Sequence, residues 1–248
     1  MSDKYGLIGY PLTHSFSKGY FNEKFQSEKL DAEYINFEIP NIGEFKALVA
    51  SNPDLKGLNV TIPYKEQVIK YLDDLDEAVK EIGAVNVIKF IRTKNGLKLK
   101  GYNSDYGGFY DSISPEINDK HKKALILGTG GASKAVVYAL NKLGVECVFV
   151  SRKPGKGELA YTDLDEKIMK EYTVIINTTP VGMYPKVDDA PDIPYECLTP
   201  DHFLYDLLYN PDVTKFMRLG KEHGAEIKNG LEMLLLQAFI SWQIWQSQ

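Results

Sequence analysis

The sequence predicts an α/β protein of two domains, and three observations carry that expectation. Strand-like and helix-like stretches alternate along the chain. Near its middle, Ala124 to Ser133 (A-L-I-L-G-T-G-G-A-S) runs an apolar strand through a glycine turn into a helix-forming segment. The same rhythm exists before that turn, which argues for an N-terminal α/β domain of its own.

Composition narrows the function. With 248 residues and 44% hydrophobic content, the chain has material for one large core or two smaller ones. Its 29 basic and 34 acidic residues leave a net charge of −5 without a basic block, so small molecules rather than nucleic acid are the expected partners. Cys147 and Cys197 cannot make a disulfide framework, and M-S-D-K-Y-G has neither an apolar leader core nor a basic one, so a cytoplasmic location is expected. Leu231 to Trp245 is apolar but carries Glu232, Gln237 and Gln243 and is too short to span a bilayer. It reads as a packed terminal helix, with no membrane partner.

Taken in order, Tyr5 to Ile8 is a strand broken by Gly9-Tyr10-Pro11, and a helix is expected from about Lys18 to Glu28. Between them, one of Ser15 and Ser17 suits a helix cap, or both hydroxyls can donate to a carboxylate beside the helix N-terminus; His14 reads as structural. Glu33 to Ile39 alternates as a strand, Ile42 to Ala50 as a helix, and Leu58 to Ile62 as a strand closed by Pro63. Ligands of open α/β sheets sit beyond such carboxyl ends, and Asn59, Thr61 and Lys65 gather there, although by composition Lys65 reads as a solvated lysine in a first helical turn. Gly83-Ala84-Val85-Asn86 leads into a strand from Val85 to Ile91, then an Asn95-Gly96 hairpin turn, and Gly101-Tyr102-Asn103-Ser104-Asp105 ends the returning strand. In their ordinary readings Asn86 is a turn residue and Asp105 the cap of a helix beginning at Tyr106. Ser114-Pro115 and Asn118 to Lys123 read as the passage into the second domain.

At the glycine turn, Gly128, Gly130, Gly131 and Ala132 let the backbone approach a pyrophosphate, whose charge the N-terminus of the next helix favours. Ser133 stands where the third glycine of G-x-G-x-x-G would fall, and a turn that binds nothing is the alternative. Gly144 stops the helix and Val145 to Val150 supplies the next strand, which completes a βαβ unit.

The motifs P-L-T-H-S-F-S, N-V-T-I-P-Y-K, G-A-V-N, G-Y-N-S-D, G-T-G-G-A, N-T-T-P-V-G-M, D-L-L-Y-N-P and N-G-L-E-M-L-L-L-Q-A follow one another over nearly the whole chain. In that order they resemble the shikimate dehydrogenase family. The resemblance implies a substrate-binding and catalytic domain at residues 1–105, completed by a C-terminal helix, 231–248, that returns to it. It implies a trimmed Rossmann-type NADP-binding domain at 106–230, with a cleft between the two. The implied activity is that of an NADP-dependent oxidoreductase interconverting 3-dehydroshikimate and shikimate in chorismate and aromatic amino-acid biosynthesis, without a metal, as a monomer or homodimer. A quinate/shikimate dehydrogenase of broader specificity and a catalytically silent NADP-binding sensor are the alternatives; Lys65 and Asp105, both present, speak against the sensor.

Residue by residue, the resemblance places Ser15 and Ser17 on the substrate carboxylate, helped by Thr61 and Tyr209. Lys65 and Asp105 become the catalytic pair around the reacting oxygen, and Asn59, Asn86 and Gln237 the partners of ring hydroxyls. Gly128, Gly130, Gly131, Ala132, Ser151, Arg152, Lys153, Thr178, Met183 and Gly230 fall to the cofactor. Arg152, 21 residues beyond Gly131, suits the 2′-phosphate of NADP where an NAD site usually carries an acid; a solvated basic loop is the plain alternative. Ser151 and Lys153 depart from the family's N-R-T, and Lys18 stands where a proline is common. An acid beside Lys65 favours its charged form and burial its neutral one, and the sequence leaves that balance open.

Lys153 to Glu158 is too short for a crossover helix before the strand expected at Leu159 to Thr162, so either the sheet order or the adenine cover is expected to be altered. A short helix at Asp163 to Lys170 precedes a strand at Tyr172 to Asn177, whose T-T-P-V-G-M tail borders the nicotinamide in this family; core packing is the alternative for Met183. Asp192 to Pro200 is a loop, Phe203 to Tyr209 a strand, and Val213 to His223 a helix ended by Gly224, before Asn229-Gly230 opens the terminal helix.

Overall fold

Residues 2–12 and 15–247 are described by the computed structural model; Thr13 and His14, the latter read above as structural, lie outside the described residues. The chain forms two compact units, Met1–Ser104 with Ala238–Gln248, and Asp105–Gln237.

The first unit contains β1 (Asp3–Gly9), α1 (Phe16–Ser27), β2 (Ala32–Glu38), α2 (Phe45–Ser51), β3 (Leu55–Val60), β4 (Asp74–Leu75), α3 (Glu77–Ile82), β5 (Val87–Thr93) and β6 (Gly96–Tyr102). Its mixed sheet has the order β2-β1-β3-β5-β6-β4. β1 runs parallel to β2 and β3, while β5 is antiparallel to both β3 and β6. The carboxyl ends of β1, β3 and β6 therefore share one edge with the amino end of β5. Side chains alternate between two cores. Ile8, Phe45, Leu58, Val68 and Ile88 pack on one face; Tyr5, Phe21, Phe25, Tyr34 and Val87 pack on the other, together with Trp245 from the end of the chain.

Trp245 lies flat over a strand that has given up its side chain. A Cβ on Gly57 would sit 2.2 Å from the indole nitrogen, so only glycine admits the ring there. The indole N–H donates to the Ile88 carbonyl at 3.2 Å, and the ring meets Tyr5 and Phe21 at centroid distances of 4.9 and 5.2 Å.

Several boundaries in this unit differ from the expectation. β3 begins earlier and ends at Val60, leaving Ile62 74% exposed beyond the sheet. Lys65 occupies a turn followed by a 3-10 helix, Gln67–Tyr71, not the first turn of an α-helix. In the hairpin the turn residues are Lys94 and Asn95, and Gly96, at φ +114°, already pairs with Thr93. α1 starts at Phe16, so Ser15 is its N-cap and Ser17 lies in its first turn.

α4 (Ser104–Ile113) starts on the last residue of the first unit's N-terminal segment and carries the chain into the second, which places Asp105 in a first turn and not at a cap. The second unit continues through β7 (Lys123–Leu127), α5 (Gly131–Lys142), β8 (Glu146–Ser151), β9 (Leu159–Ala160), α6 (Glu166–Glu171), β10 (Val174–Asn177), β11 (Phe203–Asp206), α7 (Lys215–Glu222), β12 (Glu226–Lys228) and α8 (Leu231–Gln246). α8 contributes residues 231–237 to this unit and its remainder to the first.

The sheet has the order β12-β11-β10-β7-β8-β9 and is parallel throughout. β7, β10 and β11 are buried on both faces, as parallel strands between helical layers are. In chain order this is the 3-2-1-4-5-6 arrangement of dinucleotide-binding folds. The expected change of sheet order is absent: residues 152–158 carry the chain from β8 to its parallel neighbour β9 without a helix. What is trimmed is the layer above that corner. The strand expected at Leu159 to Thr162 stops at Ala160, because the Asp163 carboxylate accepts the Ala160 N–H at 2.8 Å and bends the chain into a 3-10 turn, Tyr161–Asp163.

Among the described residues no helix is long and apolar enough to cross a membrane, and no cluster of His, Cys, Asp and Glu suits a metal ion.

Candidate active site

In the first unit, the residues expected to meet a substrate stand at the sheet edge defined above. Ser15 and Ser17 follow β1, Asn59 ends β3 with Thr61 and Lys65 just beyond it, and Asn86 precedes β5. The Ser15 hydroxyl accepts the Lys18 N–H at 3.2 Å, which leaves its own hydrogen to donate. The Thr61 N–H donates to Ile8 O at 2.9 Å, and Val85 N–H to Lys65 O at 2.8 Å, so the strand end is stitched to its neighbours on both sides. Lys65 is half-buried.

Asn59 and Asn86, 6% and 3% exposed, are held by groups that the sequence reading did not single out. The Tyr34 hydroxyl donates to Asn59 Oδ1 at 2.8 Å, and Asn59 Nδ2 donates to Ser241 Oγ at 3.0 Å and to Asn86 O at 3.3 Å. Asn86 grips Ser104 with both ends of its amide, Nδ2 to Oγ at 2.9 Å and Oδ1 from the backbone N–H at 2.6 Å. Burial pushes the Tyr34 phenol far up, so it remains a hydrogen donor at any working pH.

In the second unit, Asp105 is 6% exposed on the first turn of α4. Gln237 lies on α8, where Gly108 of α4 comes so close that a Cβ would sit 2.9 Å from the Gln237 nitrogen. Because the sheet is parallel, the loops after β7, β8, β10 and β11 all leave from one edge. That edge holds Gly128, Gly130, Gly131 and Ala132, then Ser151, Arg152 and Lys153, then Thr178 and Met183, and finally Tyr209.

The glycine turn has the shape a pyrophosphate needs. Gly128 adopts φ +102°, and a Cβ there would lie 2.9 Å from Thr178 Oγ1. Gly130 faces open space and is the N-cap of α5 without a side-chain capping bond, so no side chain closes the first-turn N–H groups. Ser133 is fully buried, and its hydroxyl turns inward to the Gly130 carbonyl at 2.6 Å. It therefore serves the strand–helix junction as the missing glycine would. Thr178 donates to the Leu127 carbonyl at 2.7 Å, and Met183 is 48% exposed, which removes core packing as its explanation. Ser151 Oγ accepts the Lys153 N–H at 3.1 Å, and Glu158 accepts the Gly155 N–H at 2.9 Å; the short crossover is thus bound by its own turns, with Arg152 exposed. Gly230 is buried, and a Cβ there would collide with the Leu207 carbonyl at 2.1 Å, so its bareness serves chain packing.

Asp206 organises this edge from below. Fully buried at the end of β11, it accepts Thr214 Oγ1 at 2.6 Å, Asn177 Nδ2 at 3.0 Å and the Leu208 N–H at 3.1 Å. It joins the loop after β10 to the cap of α7. Burial raises its carboxyl from 3.8 to about 6, against the pull of those three donors. Between these values the folded protein holds a proton that the unfolded chain has lost. The stability this supplies is complete below the unfolded pKa and lost as pH rises through about 6, at most about 3 kcal/mol. Asp206→Asn, neutral throughout, is expected to gain about 1–3 kcal/mol relative to the wild type between pH 4 and pH 7. Denaturant midpoints of both proteins at the two pH values measure this, and parallel profiles would disprove it.

Comparison with known proteins places these features in context. Residues 7–88 match the family model described as the shikimate dehydrogenase substrate binding domain. The shikimate dehydrogenase (NADP+) of Clostridium beijerinckii is 39% identical over 98% of this chain and 91% of its own. The crystal structure of shikimate dehydrogenase from Aquifex aeolicus superposes with a TM-score of 0.85 at 36% identity, covering 99% of this chain and 92% of that one. That of the Thermus thermophilus shikimate 5-dehydrogenase, in complex with NADP(H) and shikimate, has a TM-score of 0.84 at 27% identity, covering 98% and 93%.

Proposed function

Because the chain belongs to the shikimate dehydrogenase family, we propose that it interconverts 3-dehydroshikimate and shikimate with NADP as its cofactor. The observation that carries this reading is the gathering of hydroxyl, amide and ammonium groups at one sheet edge of the first unit. A polyol acid needs donors and acceptors of that kind, with several converging hydroxyls in place of a fixed cation at its carboxylate.

In this proposal Ser15, Ser17, Thr61 and Tyr209 hold the carboxylate, and Asn59, Asn86 and Gln237 meet the ring hydroxyls. Lys65 protonates the ring oxygen as negative charge develops on it and takes the proton back in the reverse direction. Asp105 holds the ammonium in place. NADPH, when bound, supplies the hydride. Gly128, Gly130, Gly131 and Ala132 take its pyrophosphate, Ser151, Arg152 and Lys153 its 2′-phosphate, and Thr178 and Met183 its nicotinamide end. The free thiols of Cys147 and Cys197 suit a reducing, cytoplasmic setting.

Shikimate and quinate, each offered with NADP and with NAD, test the proposal through the formation of reduced cofactor. Shikimate with NADP is expected to react fastest; no reduction in any mixture would make the protein a sensor, and faster quinate turnover a broader relative. Arg152→Ala is expected to raise KM for NADP about 10- to 100-fold and that for NAD less than about twofold, since one charge-assisted phosphate contact is lost. Equal changes for both cofactors would remove Arg152 from the 2′-phosphate.

A further inference from the structure

We infer that Ser241, on the last helix, is a positioning residue that holds the side-chain amide of Asn59, one of the two asparagines facing the substrate ring, in its working orientation. The inference rests on the reading of Asn59 and Asn86 as ring-hydroxyl ligands.

Tyr34, Asn59, Ser241, Ser104 and Asn86 form one buried chain of hydrogen bonds. Tyr34 donates to Asn59, and Asn59 donates to Ser241. Ser241 Oγ lies 3.1 Å from Ser104 Oγ, which accepts from Asn86 Nδ2 at 2.9 Å. Both serines are fully buried, so neither hydroxyl exchanges its partners for solvent.

The sense of each amide follows from groups that act in one way only. The Ser104 backbone N–H can only donate, so the Asn86 atom it meets is the oxygen. The Asn86 carbonyl can only accept, so the Asn59 atom facing it is the nitrogen. Both hydrogens of Asn59 Nδ2 are then used, one on Asn86 O and one on Ser241 Oγ. Asn59 has only a lone pair of Oδ1 left to offer and meets a ring hydroxyl as acceptor. Ser241 is the one member of this arrangement contributed by α8, and it holds the Asn59 amide in this orientation.

Without the Ser241 hydroxyl, the Asn59 amide gains a free hydrogen and a reason to rotate. The test is kinetic, on the full chain: kcat and both KM values for the wild type, Ser241→Ala, Asn59→Ala, the double variant and Ser241→Thr. Ser241→Ala is expected to raise KM for shikimate about tenfold, the worth of one hydrogen bond, and to leave KM for NADP within about twofold. On the Asn59→Ala background the same change is expected to add less than about twofold, because the amide it acts through is gone. Ser241→Thr, which keeps the hydroxyl, is expected to restore most of the loss. An unaltered shikimate KM in Ser241→Ala, or an equal rise with and without Asn59, would overturn the inference. Should Ser241→Ala fail to fold, Ser241→Cys keeps the volume and weakens the acceptor; a KM like that of the wild type then overturns it. A wild type that turns over shikimate beside an unaffected variant removes this inference alone, whereas a wild type inert toward shikimate removes the functional reading and this inference with it.

Discussion

Lys65→Ala is expected to lower kcat for shikimate oxidation by about 10²- to 10⁴-fold while KM for shikimate changes less than about threefold. Hydride transfer to a carbonyl leaves negative charge on oxygen, and hydride removal from an alcohol requires that its proton depart. Both directions pass through the same proton position. Of the three side chains read onto the substrate at the end of β3, Asn59, Thr61 and Lys65, the lysine is the one that can give and take a proton, since an amide and an alcohol do not ionise usefully. The carboxylate and the ring hydroxyls keep their own partners in the variant, so ground-state binding survives. A small primary amine added to Lys65→Ala is expected to restore part of the rate. Weakened binding with unchanged turnover would move Lys65 out of the chemistry.

Trp245→Ala is expected to destabilise the protein by about 3–5 kcal/mol, read as a shift in the denaturant midpoint. The indole fills a depression that exists only because Gly57 has no side chain, and its ring is shared by Tyr5, Phe21 and Tyr34. No neighbouring chain can collapse into the space, because β3 lies directly beneath it and is held on both sides by β1 and β5. Alanine also orphans the Ile88 carbonyl that the indole N–H satisfies. Trp245→Phe keeps much of the apolar surface but not that bond and is expected to cost less, about 1–2 kcal/mol. A loss below about 1 kcal/mol in the alanine variant would mean that the aromatic cluster repacks freely.

The turn from β7 into α5 was legible because its signal is local: an apolar run, glycines where backbone must be bare, then helix formers. The same holds for Gly144 as the stop of α5 and for the alternation of strands and helices in the first unit. Boundaries failed where a single side chain redirects the backbone. Asp163 ends β9 by capturing the Ala160 N–H, and nothing in Leu159 to Thr162 announces that. β12 is three residues long, too short for any periodicity to register. The sheet order survived a crossover of residues 152–158, which length alone argued against, because two ladder pairs, Val150 with Leu159 and Ser151 with Ala160, are all that β9 has to make. Ser241 and Asp206 were silent for another reason. A serine on an apolar helix and an aspartate ending a strand look ordinary, and only the side chains brought to them by the fold, Asn59 and Ser104 in one case, Asn177 and Thr214 in the other, give them a role.

The first unit is assembled from both ends of the chain, with Trp245 seated on Gly57. A ribosome makes residues 105–237 before it makes Trp245, so the parallel sheet has all its strands while the mixed sheet still lacks its plug. During synthesis the first unit therefore stays unsealed until α8 has been made and Trp245 can settle on Gly57.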